Sequence, residues 1–115
     1  MDFEKLDVWK RSARLSVALY QHLRNSRELG FKDQVTRSGL SIPSNIAEGM
    51  SREGIRGKVR FLLIANGSYA ELRTQLYIGR EAGFVAEEFA RPSIQETREI
   101  AAMLSSLIQT IRHDS

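Results

Sequence analysis

At positions 41–49 the chain reads Ser-Ile-Pro-Ser-Asn-Ile-Ala-Glu-Gly, and at positions 65–72 it reads Ala-Asn-Gly-Ser-Tyr-Ala-Glu-Leu. Each stretch places a carboxylate, small residues and a hydroxyl or amide group inside a sequence that otherwise has the pattern of an apolar helix. A surface helix does not require that mixture, whereas two helices that pack a polar strip against each other do. The two stretches therefore predict a pair of helices joined along such a strip.

Polar side chains recur at steps of three and four residues, and so on one face, in both of these helices. They are Gln34, Ser38, Ser41, Asn45 and Glu48 in the second helix and Ser68, Glu71 and Gln75 in the third. Six of them are assigned to a structural polar seam, namely Gln34, Ser41, Asn45, Glu48, Ser68 and Glu71. Because a buried carboxylate has to be paired or protonated, we expect Glu48 and Glu71 to approach each other or a shared arginine, with Arg37 and Arg52 as the local candidates.

Three interpretations of these polar residues stay open from the sequence. They form a structural seam that fixes helix register through hydrogen bonds, a catalytic or metal site built on paired carboxylates, or an exposed polar face. A di-iron bundle requires Glu-x-x-His pairs, but the residues three before His22 and His113 are Leu19 and Thr110. The chain has no cysteine, and neither a nucleophile elbow nor a Walker motif occurs. We therefore predict no catalytic residue, no metal and no cofactor.

Apolar residues at helical spacing predict four helices, at about 4–25, 31 to 48 or 50, 58–82 and 86–112. Pro43 lies inside the second helix, where proline removes a backbone hydrogen bond, so we expect a kink there or a helix that ends early and restarts. Pro92 is expected to bend the first turns of the fourth helix or to delay its start to Ser93. Short connections favour antiparallel neighbours. The predicted fold is therefore all-α, a single domain over residues 1–115 that forms an antiparallel up-down-up-down four-helix bundle.

The composition bounds the class of protein. The 115 residues carry a formal net charge of +3, with 42% hydrophobic and 27% charged residues, which is enough for one domain with an apolar core. The longest apolar stretch, residues 61–65, is far too short to span a membrane, and the acidic start shows no signal peptide. Because the absence of cysteine suits a reducing compartment, we expect a cytoplasmic protein without membrane contact.

Basic residues gather at two places along the chain. They are Arg52, Arg56, Lys58 and Arg60 around the connection between the second and third helices, and Lys10, Arg11 and Arg14 in the first helix. Residues 71–99 are acidic by comparison, so one end of the bundle is expected to attract phosphates through salt-dependent, largely sequence-neutral contacts. The assigned nucleic-acid contacts are Lys10, Arg14, Arg52, Arg56, Lys58 and Arg60. The alternative is a solvated loop and an ordinary charged helix face.

The apolar arcs of the first and third helices are wider than one flank of a bundle needs. Residues 61–65 cover most of a helix circumference, and Leu15, Leu19 and Leu23 add a second stripe to the first helix. Because a small domain buries only part of its surface, this surplus indicates self-association. The alternative is that these residues cover one another within the monomer.

Three segments together resemble a known family. Residues 3–10 read Phe-Glu-Lys-Leu-Asp-Val-Trp-Lys, residues 34–38 lead into the stretch at 41–49, and Phe61-Leu62 continues to the Gly-Ser-Tyr-Ala-Glu-Leu of 67–72. This pattern is similar to the bacterial four-helix bundle family of the 23S ribosomal RNA intervening sequences, over nearly the whole chain. More distantly, it resembles the accessory variability protein of diversity-generating retroelements.

The resemblance implies a closed ring of bundles, a homopentamer, with no known enzymatic activity and a role related to nucleic acid. Asn45, Glu48, Ser68 and Glu71 match the family's signature, which has no established catalytic meaning. Gly39 stands where the pattern usually has alanine or another small helix former, and this glycine is expected to weaken the helix locally.

These observations give three hypotheses on function. The first is a cytoplasmic, non-enzymatic, homo-oligomeric scaffold that binds the backbone of RNA or DNA. The second is an adaptor that binds an unknown protein partner, for which the basic residues are incidental. The third is an enzyme that uses Glu48 and Glu71.

Overall fold

Four α-helices account for most of the computed structural model, which describes residues 2–114. A 3₁₀-helix at Phe3–Lys5 precedes α1, Asp7–His22, and is followed by α2, Leu29–Met50, α3, Ile55–Glu81, and α4, Glu87–His113. Short connections join each helix to the next, and the described residues contain no strand. The predicted all-α four-helix bundle is therefore confirmed.

The helices differ from the prediction chiefly where they begin. Leu6 has extended backbone angles, so the first predicted helix is divided into a 3₁₀-helix and α1. The third helix, α3, begins at Ile55, three residues earlier than predicted. The last helix, α4, begins at Glu87 and continues through the exposed Pro92, so the delayed start at Ser93 is wrong.

The second helix, α2, is one continuous helix that contains Pro43, so the expectation of an early end and a restart is wrong. A kink at Pro43 stays a prediction. The proline ring crowds the carbonyl four residues earlier, which belongs to Gly39. A side chain at Gly39 would clash with α1, because a Cβ atom there would lie 2.5 Å from Cδ1 of Leu19. The residue predicted to weaken α2 therefore permits the close approach of α1.

The helices occupy the four corners of an elongated bundle that measures 46 × 20 × 19 Å. Contacts join α2 to α1 and α3, and α4 to α3 and α1, whereas α1 and α3 share no close backbone contact. The helices α1 and α3 are therefore diagonal neighbours. Because each helix runs antiparallel to the next, the starts of α1 and α3 lie at the same end of the bundle as the ends of α2 and α4.

The core runs along the bundle axis and takes side chains from every helix. Its largest fully buried members are Leu19, Leu23, Val35, Ile42, Ile46, Leu62, Tyr69, Leu72, Leu76, Ile100 and Leu104. Burial of each large apolar side chain contributes about 1.5–3 kcal/mol, which makes this core the main source of stability. From α2, the residues Val35, Ile42 and Ile46 lie within it.

At the end of the bundle where α2 begins and α3 ends, the two helices are in close contact and α3 is capped by a glycine. Phe31 lies against Gly79, where an added Cβ would approach its Cζ atom to 2.3 Å. Gly83 has a φ of 81°, and the backbone N–H of Phe84 donates to the carbonyl of Gly79 at 2.7 Å. Gly83 is thus a left-handed glycine cap at the end of α3.

Candidate functional site

A polar line joins α2 to α3 at the middle of both helices; it is formed by Ser38, Ser41, Asn45, Ser68 and Glu71. Ser38 Oγ donates to Glu71 Oε1 at 2.8 Å, and the hydroxyl oxygens of Ser41 and Ser68 lie 3.0 Å apart. Asn45 Nδ2 donates to the carbonyl and hydroxyl oxygens of Ser41 at 2.8 and 2.9 Å. The polar line thus connects the two helices through side chains, within the region of the two quoted stretches.

Two residues assigned to the polar seam lie outside this line. Gln34 is exposed, and the half-exposed carboxylate of Glu48 accepts a 2.7 Å hydrogen bond from Arg52 of the same helix. Both residues therefore belong to the solvent-facing side of α2. Gln75, which shares the predicted polar face of α3, has a buried Oε1 without a hydrogen-bond partner among the described residues.

Glu48 and Glu71 do not form a carboxylate pair, and the expectation that they approach each other or share an arginine is wrong. The hydrogen bonds between α2 and α3 fix an antiparallel register that places Glu48 opposite Phe61. Glu71 lies further along α3 by about 15 Å, at 1.5 Å per residue. Glu48 pairs with Arg52, whereas Glu71 accepts from Ser38. A catalytic site that pairs these two carboxylates within one chain is therefore excluded.

A buried pair of hydroxyl groups connects the diagonal helices α1 and α3. Ser12 Oγ and Tyr69 Oη lie 2.6 Å apart, and Ser12 Oγ donates to the carbonyl of Val8, also at 2.6 Å. Because the single hydroxyl proton of Ser12 is used on Val8, Tyr69 is the donor to Ser12. Burial raises the pKa of the Tyr69 hydroxyl above its ordinary value, so this group is a neutral hydrogen-bond donor.

Arg11 joins α1 to α4 near the surface. Its Nε donates to Glu96 Oε2 at 2.9 Å, and its Nη2 donates to Glu96 Oε1 and to Glu99 Oε1 at 2.5 and 2.8 Å. These hydrogen bonds raise the pKa of Arg11, and the bond from Arg11 lowers the pKa of Glu99. Arg11 is thus a link between helices and differs in role from its sequence neighbours Lys10 and Arg14.

Two of the six predicted nucleic-acid contacts form hydrogen bonds within the chain. Lys58 Nζ donates to the carbonyl of Met50 at 3.2 Å and to that of Arg52, where its charge stabilises the C-terminus of α2. Arg52 pairs with Glu48, and its guanidinium carbon lies 4.8 Å from the ring centroid of Phe61. Lys58 and Arg52 would have to give up these contacts to bind a phosphate.

The other four predicted contacts, Lys10, Arg14, Arg56 and Arg60, are exposed, and we call them the four unpaired cations. None of them forms an ion pair with a carboxylate in residues 2–114, and Arg60 has a contact with an aromatic ring, since its guanidinium carbon lies 5.7 Å from the ring centroid of Phe61. Arg56 and Arg60 lie in the first turns of α3, whereas Lys10 and Arg14 lie in the first half of α1, close to the level of Ser12, whose hydroxyl meets that of Tyr69 at the middle of the bundle. Because these helices are diagonal, one subunit presents the four cations as two separate surfaces, one near an end of the bundle and one near its middle.

An apolar groove of about 460 Å³ lies between α1 and α2. Its apolar lining residues are Phe3, Trp9, Ala13, Val17, Tyr20, Leu40, Pro43 and Ala47. Trp9 is half-buried and contacts Phe3 edge to face at 5.3 Å, whereas Val17, Tyr20 and Leu40 expose 54, 44 and 48% of their surface. Several large apolar side chains are thus left open to solvent on one face of a single subunit.

Neither a membrane-spanning helix nor a metal cluster is found in residues 2–114. The long helices there are not apolar enough to cross a bilayer, and no group of three or more potential metal ligands is present in this range. A second, polar groove lies between α3 and α4.

The fold and the polar line define the class of protein, an antiparallel helical bundle whose α2 and α3 are joined by hydroxyl, amide and carboxylate groups. The chain belongs to the family of the 23S rRNA-intervening sequence protein, whose model matches residues 4–106, and the resemblance noted from the sequence is confirmed. A crystal structure of a protein of unknown function from the S23 ribosomal protein family of Bacteroides thetaiotaomicron is similar, with a TM-score of 0.79 and 25% identity. The match covers 88% of this chain and 97% of that chain. No curated protein matches this chain.

Proposed function

We propose that this protein is a cytoplasmic, non-enzymatic homo-oligomer that serves as a binding scaffold for the backbone of RNA or DNA. The observation that carries the proposal is the exposure of Lys10, Arg14, Arg56 and Arg60 without carboxylate partners in residues 2–114. A cation without a carboxylate partner can neutralise a phosphate and release its counterions without first breaking an ion pair.

Self-association is supported by the apolar groove between α1 and α2. A small number of scattered apolar side chains on a surface is ordinary, but a contiguous patch favours an interface. The groove joins the aromatic residues Trp9 and Tyr20 to Leu40 on the facing helix. Family resemblance suggests a pentamer, and in a closed ring each cation surface would recur around the axis so that the fields of the subunits add.

The absence of enzymatic activity is part of the same proposal. The enzyme hypothesis rested on Glu48 and Glu71, which lie far apart and have separate partners. Their present contacts give each carboxylate a structural explanation. Glu48 forms a helical ion pair four residues from Arg52, and Glu71 belongs to the polar line.

The direct test is a titration of a fluorescent RNA oligonucleotide and of duplex DNA with the purified protein at low salt. We expect an affinity tighter than about 10⁻⁴ M, the weak limit of nonspecific binding, for at least one of the two. Replacement of Lys10, Arg14, Arg56 and Arg60 by Gln should abolish that binding. A matched control replaces Arg24, Arg27, Arg37 and Arg91, four exposed arginines elsewhere on the chain, and should retain it.

The oligomeric state is tested separately by light scattering on the same material. A mass several times that of one chain is expected, and Tyr20→Asp together with Leu40→Asp should reduce it to one chain, since both changes place a charge in the apolar groove. A wild-type protein with the mass of one chain would contradict the self-association.

The apolar groove also favours a second candidate, a protein-binding adaptor, since aromatic and apolar side chains are typical of the centre of protein interfaces. For the adaptor, a defined protein partner should remain bound after nuclease treatment, and the variant with the four Gln replacements should bind it as the wild type does. The scaffold instead requires that nuclease treatment and the Gln replacements remove the bound material.

A further inference from the structure

A second groove, between α3 and α4, has a chemistry unlike that of the apolar groove. It has a volume of about 380 Å³, within the range of about 300–1,000 Å³ for small-molecule sites. Arg73 and Arg98 face it from the two helices, and Asn66 and Ser105 lie further along its walls. No carboxylate lines the groove, so its charged groups are all cationic.

Arg73 is held in place without being neutralised. Its Nε donates to Thr97 Oγ1 at 2.9 Å, and Thr97 in turn donates to the carbonyl of Ile94 at 2.6 Å. Thr97 is fully buried, so the hydroxyl that orients the guanidinium is itself fixed. No carboxylate in residues 2–114 pairs with Arg73, and its terminal Nη groups have donors left over for a ligand.

Arg98 is oriented in a similar way from the opposite wall. Its Nη2 donates to the hydroxyl of Tyr77 on α3, a neutral acceptor that leaves the positive charge uncompensated. Arg98 forms no ion pair within the described part of the chain. Two arginines are thus oriented on one groove by neutral hydroxyl groups, and no carboxylate in residues 2–114 compensates either charge.

The nearest acidic residues in sequence are used on other faces of the bundle. Glu96 and Glu99 accept hydrogen bonds from Arg11, which approaches from α1. Glu71 accepts from Ser38, which approaches from α2. The groove therefore has no acidic groups although its sequence neighbours are acidic, because Glu71, Glu96 and Glu99 are directed towards α1 and α2.

We propose that the α3–α4 groove binds a phosphoryl group, carried either by a free nucleotide or by a nucleic-acid strand. Two guanidinium groups offer paired donors that match the several acceptor oxygens of a phosphoryl group. The terminal phosphate of a nucleotide carries about two negative charges, and each phosphodiester of a strand carries one. The Asn66 amide and the Ser105 hydroxyl supply further donors along the groove. Ala101 and Ala102 keep the wall low and apolar beside them, which leaves room for the sugar of a nucleotide.

This inference does not require the four unpaired cations, which lie elsewhere on the surface. If the phosphoryl group is carried by a strand, the groove adds a binding site to the proposed scaffold and rests on that function. If it is carried by a nucleotide, the groove is a separate ligand site. The two sources are distinguished by the choice of probe.

The test measures binding of adenosine 5′-triphosphate by calorimetry and of a single-stranded twelve-nucleotide probe by fluorescence anisotropy. The double variant Arg73→Gln/Arg98→Gln should weaken one of the two by about tenfold or more, as expected for the loss of charge-assisted hydrogen bonds. The control Arg37→Gln/Arg91→Gln removes the same charge from exposed, ion-paired residues and should change neither by more than about twofold. Adenosine, which lacks phosphate, should not bind.

Each outcome decides the proposal. A larger loss for the triphosphate assigns the groove to a nucleotide, and a larger loss for the oligonucleotide assigns it to a strand. Binding of both probes unchanged in Arg73→Gln/Arg98→Gln, or no binding of either probe to the wild type, overturns it. Because Arg73 touches the buried Thr97, Arg98→Gln alone is measured as a second variant with no buried contact. If only the replacements at Lys10, Arg14, Arg56 and Arg60 reduce oligonucleotide binding and the triphosphate is unaffected by every variant, the groove is refuted while the proposed function stands.

Discussion

The hydroxyl groups of Ser12 and Tyr69 lie 2.6 Å apart at the centre of the bundle. They connect α1 and α3, the diagonal helices that share no close backbone contact. Tyr69 is the largest fully buried side chain of the described core, and a buried hydroxyl is stabilising only when it is hydrogen-bonded. This contact therefore fixes how α1 and α3 lie relative to each other, and through α3 it supports the polar line with α2.

Removal of the Ser12 hydroxyl and removal of the Tyr69 hydroxyl should lower the free energy of unfolding by different amounts. Ser12→Ala leaves the Tyr69 hydroxyl buried without an acceptor and should lower the free energy of unfolding by about 1–3 kcal/mol. Tyr69→Phe removes the donor but leaves Ser12 bonded to Val8, so it should cost about 1 kcal/mol. Chemical denaturation of the two single variants and the double variant measures both values. A double variant as unstable as the sum of the single variants would show that the two hydroxyl groups are not coupled.

Alkaline pH should destabilise the protein through Tyr69. Burial raises the pKa of Tyr69 in the folded state, whereas in the unfolded chain it ionises near its ordinary value of about 10. The folded state therefore binds the proton more tightly, and this contribution is fully present below about pH 10 and is lost as pH rises beyond it. Denaturation curves from pH 8 to 11 should show the loss in the wild type. The same decline in Tyr69→Phe would mean that another group causes it.

Two glycines of α3 should respond to alanine in opposite directions. Gly79→Ala would bring a Cβ within 2.3 Å of Phe31 and 2.8 Å of Val85, so it should destabilise by about 1–3 kcal/mol through overpacking. Gly67→Ala meets nothing within 4 Å and should stabilise the helix by about 0.5–1 kcal/mol. Thermal unfolding of the two variants gives the comparison, and a stabilised Gly79→Ala protein would refute the packing described at Phe31.

The link between α1 and α4 should depend on salt and on acid. Arg11→Gln removes the partner of Glu96 and Glu99, and it should lower the free energy of unfolding more at low than at high ionic strength. The pKa of Glu99 is lowered by the hydrogen bond from Arg11. Its contribution is therefore present above the ordinary carboxyl pKa and is lost as pH falls through the lowered value. Urea denaturation of wild type and Arg11→Gln from pH 3 to 7 tests this, because the difference between the two should shrink at the acidic end.

The fold was predictable from the sequence because four apolar periodicities and short connections leave few arrangements. The quoted stretches also located the region where α2 and α3 exchange hydrogen bonds, since Ser41, Asn45, Ser68 and Glu71 all belong to the polar line. The partners of Glu48 and Glu71 were not predictable. Residues that recur at steps of three and four lie on one face of a helix, but the spacing does not show how far that face is exposed to solvent. Glu48 lies at the edge of that face, where a long side chain reaches solvent and its neighbour Arg52.

The candidate site was less predictable than the fold. From the sequence, cations can be grouped only by their position in the chain. Arg11 and Lys58 instead form contacts with residues that are distant in sequence or on another helix, and only the structure shows these contacts. Arg73 and Arg98 were not recognised from the sequence because they lie in residues 71–99, which are acidic by count. A count of charges does not show the direction in which the carboxylates of that segment point. Ser12 and Gly39 are small residues inside predicted helices, and the sequence does not show what they contact. Their roles follow from the packing of α1, which brings Ser12 to Tyr69 and Leu19 to Gly39.

The most direct test of the central claim is the salt dependence of oligonucleotide affinity, measured on the wild type and on the variant with Gln at Lys10, Arg14, Arg56 and Arg60. Each phosphate contact should add about −0.7 to the slope of log affinity against log salt for a single strand. We predict a clearly negative slope for the wild type and a much shallower one for the variant. A wild-type affinity that does not change with salt, or a variant that keeps the wild-type slope, would contradict the proposal that these cations bind the nucleic-acid backbone.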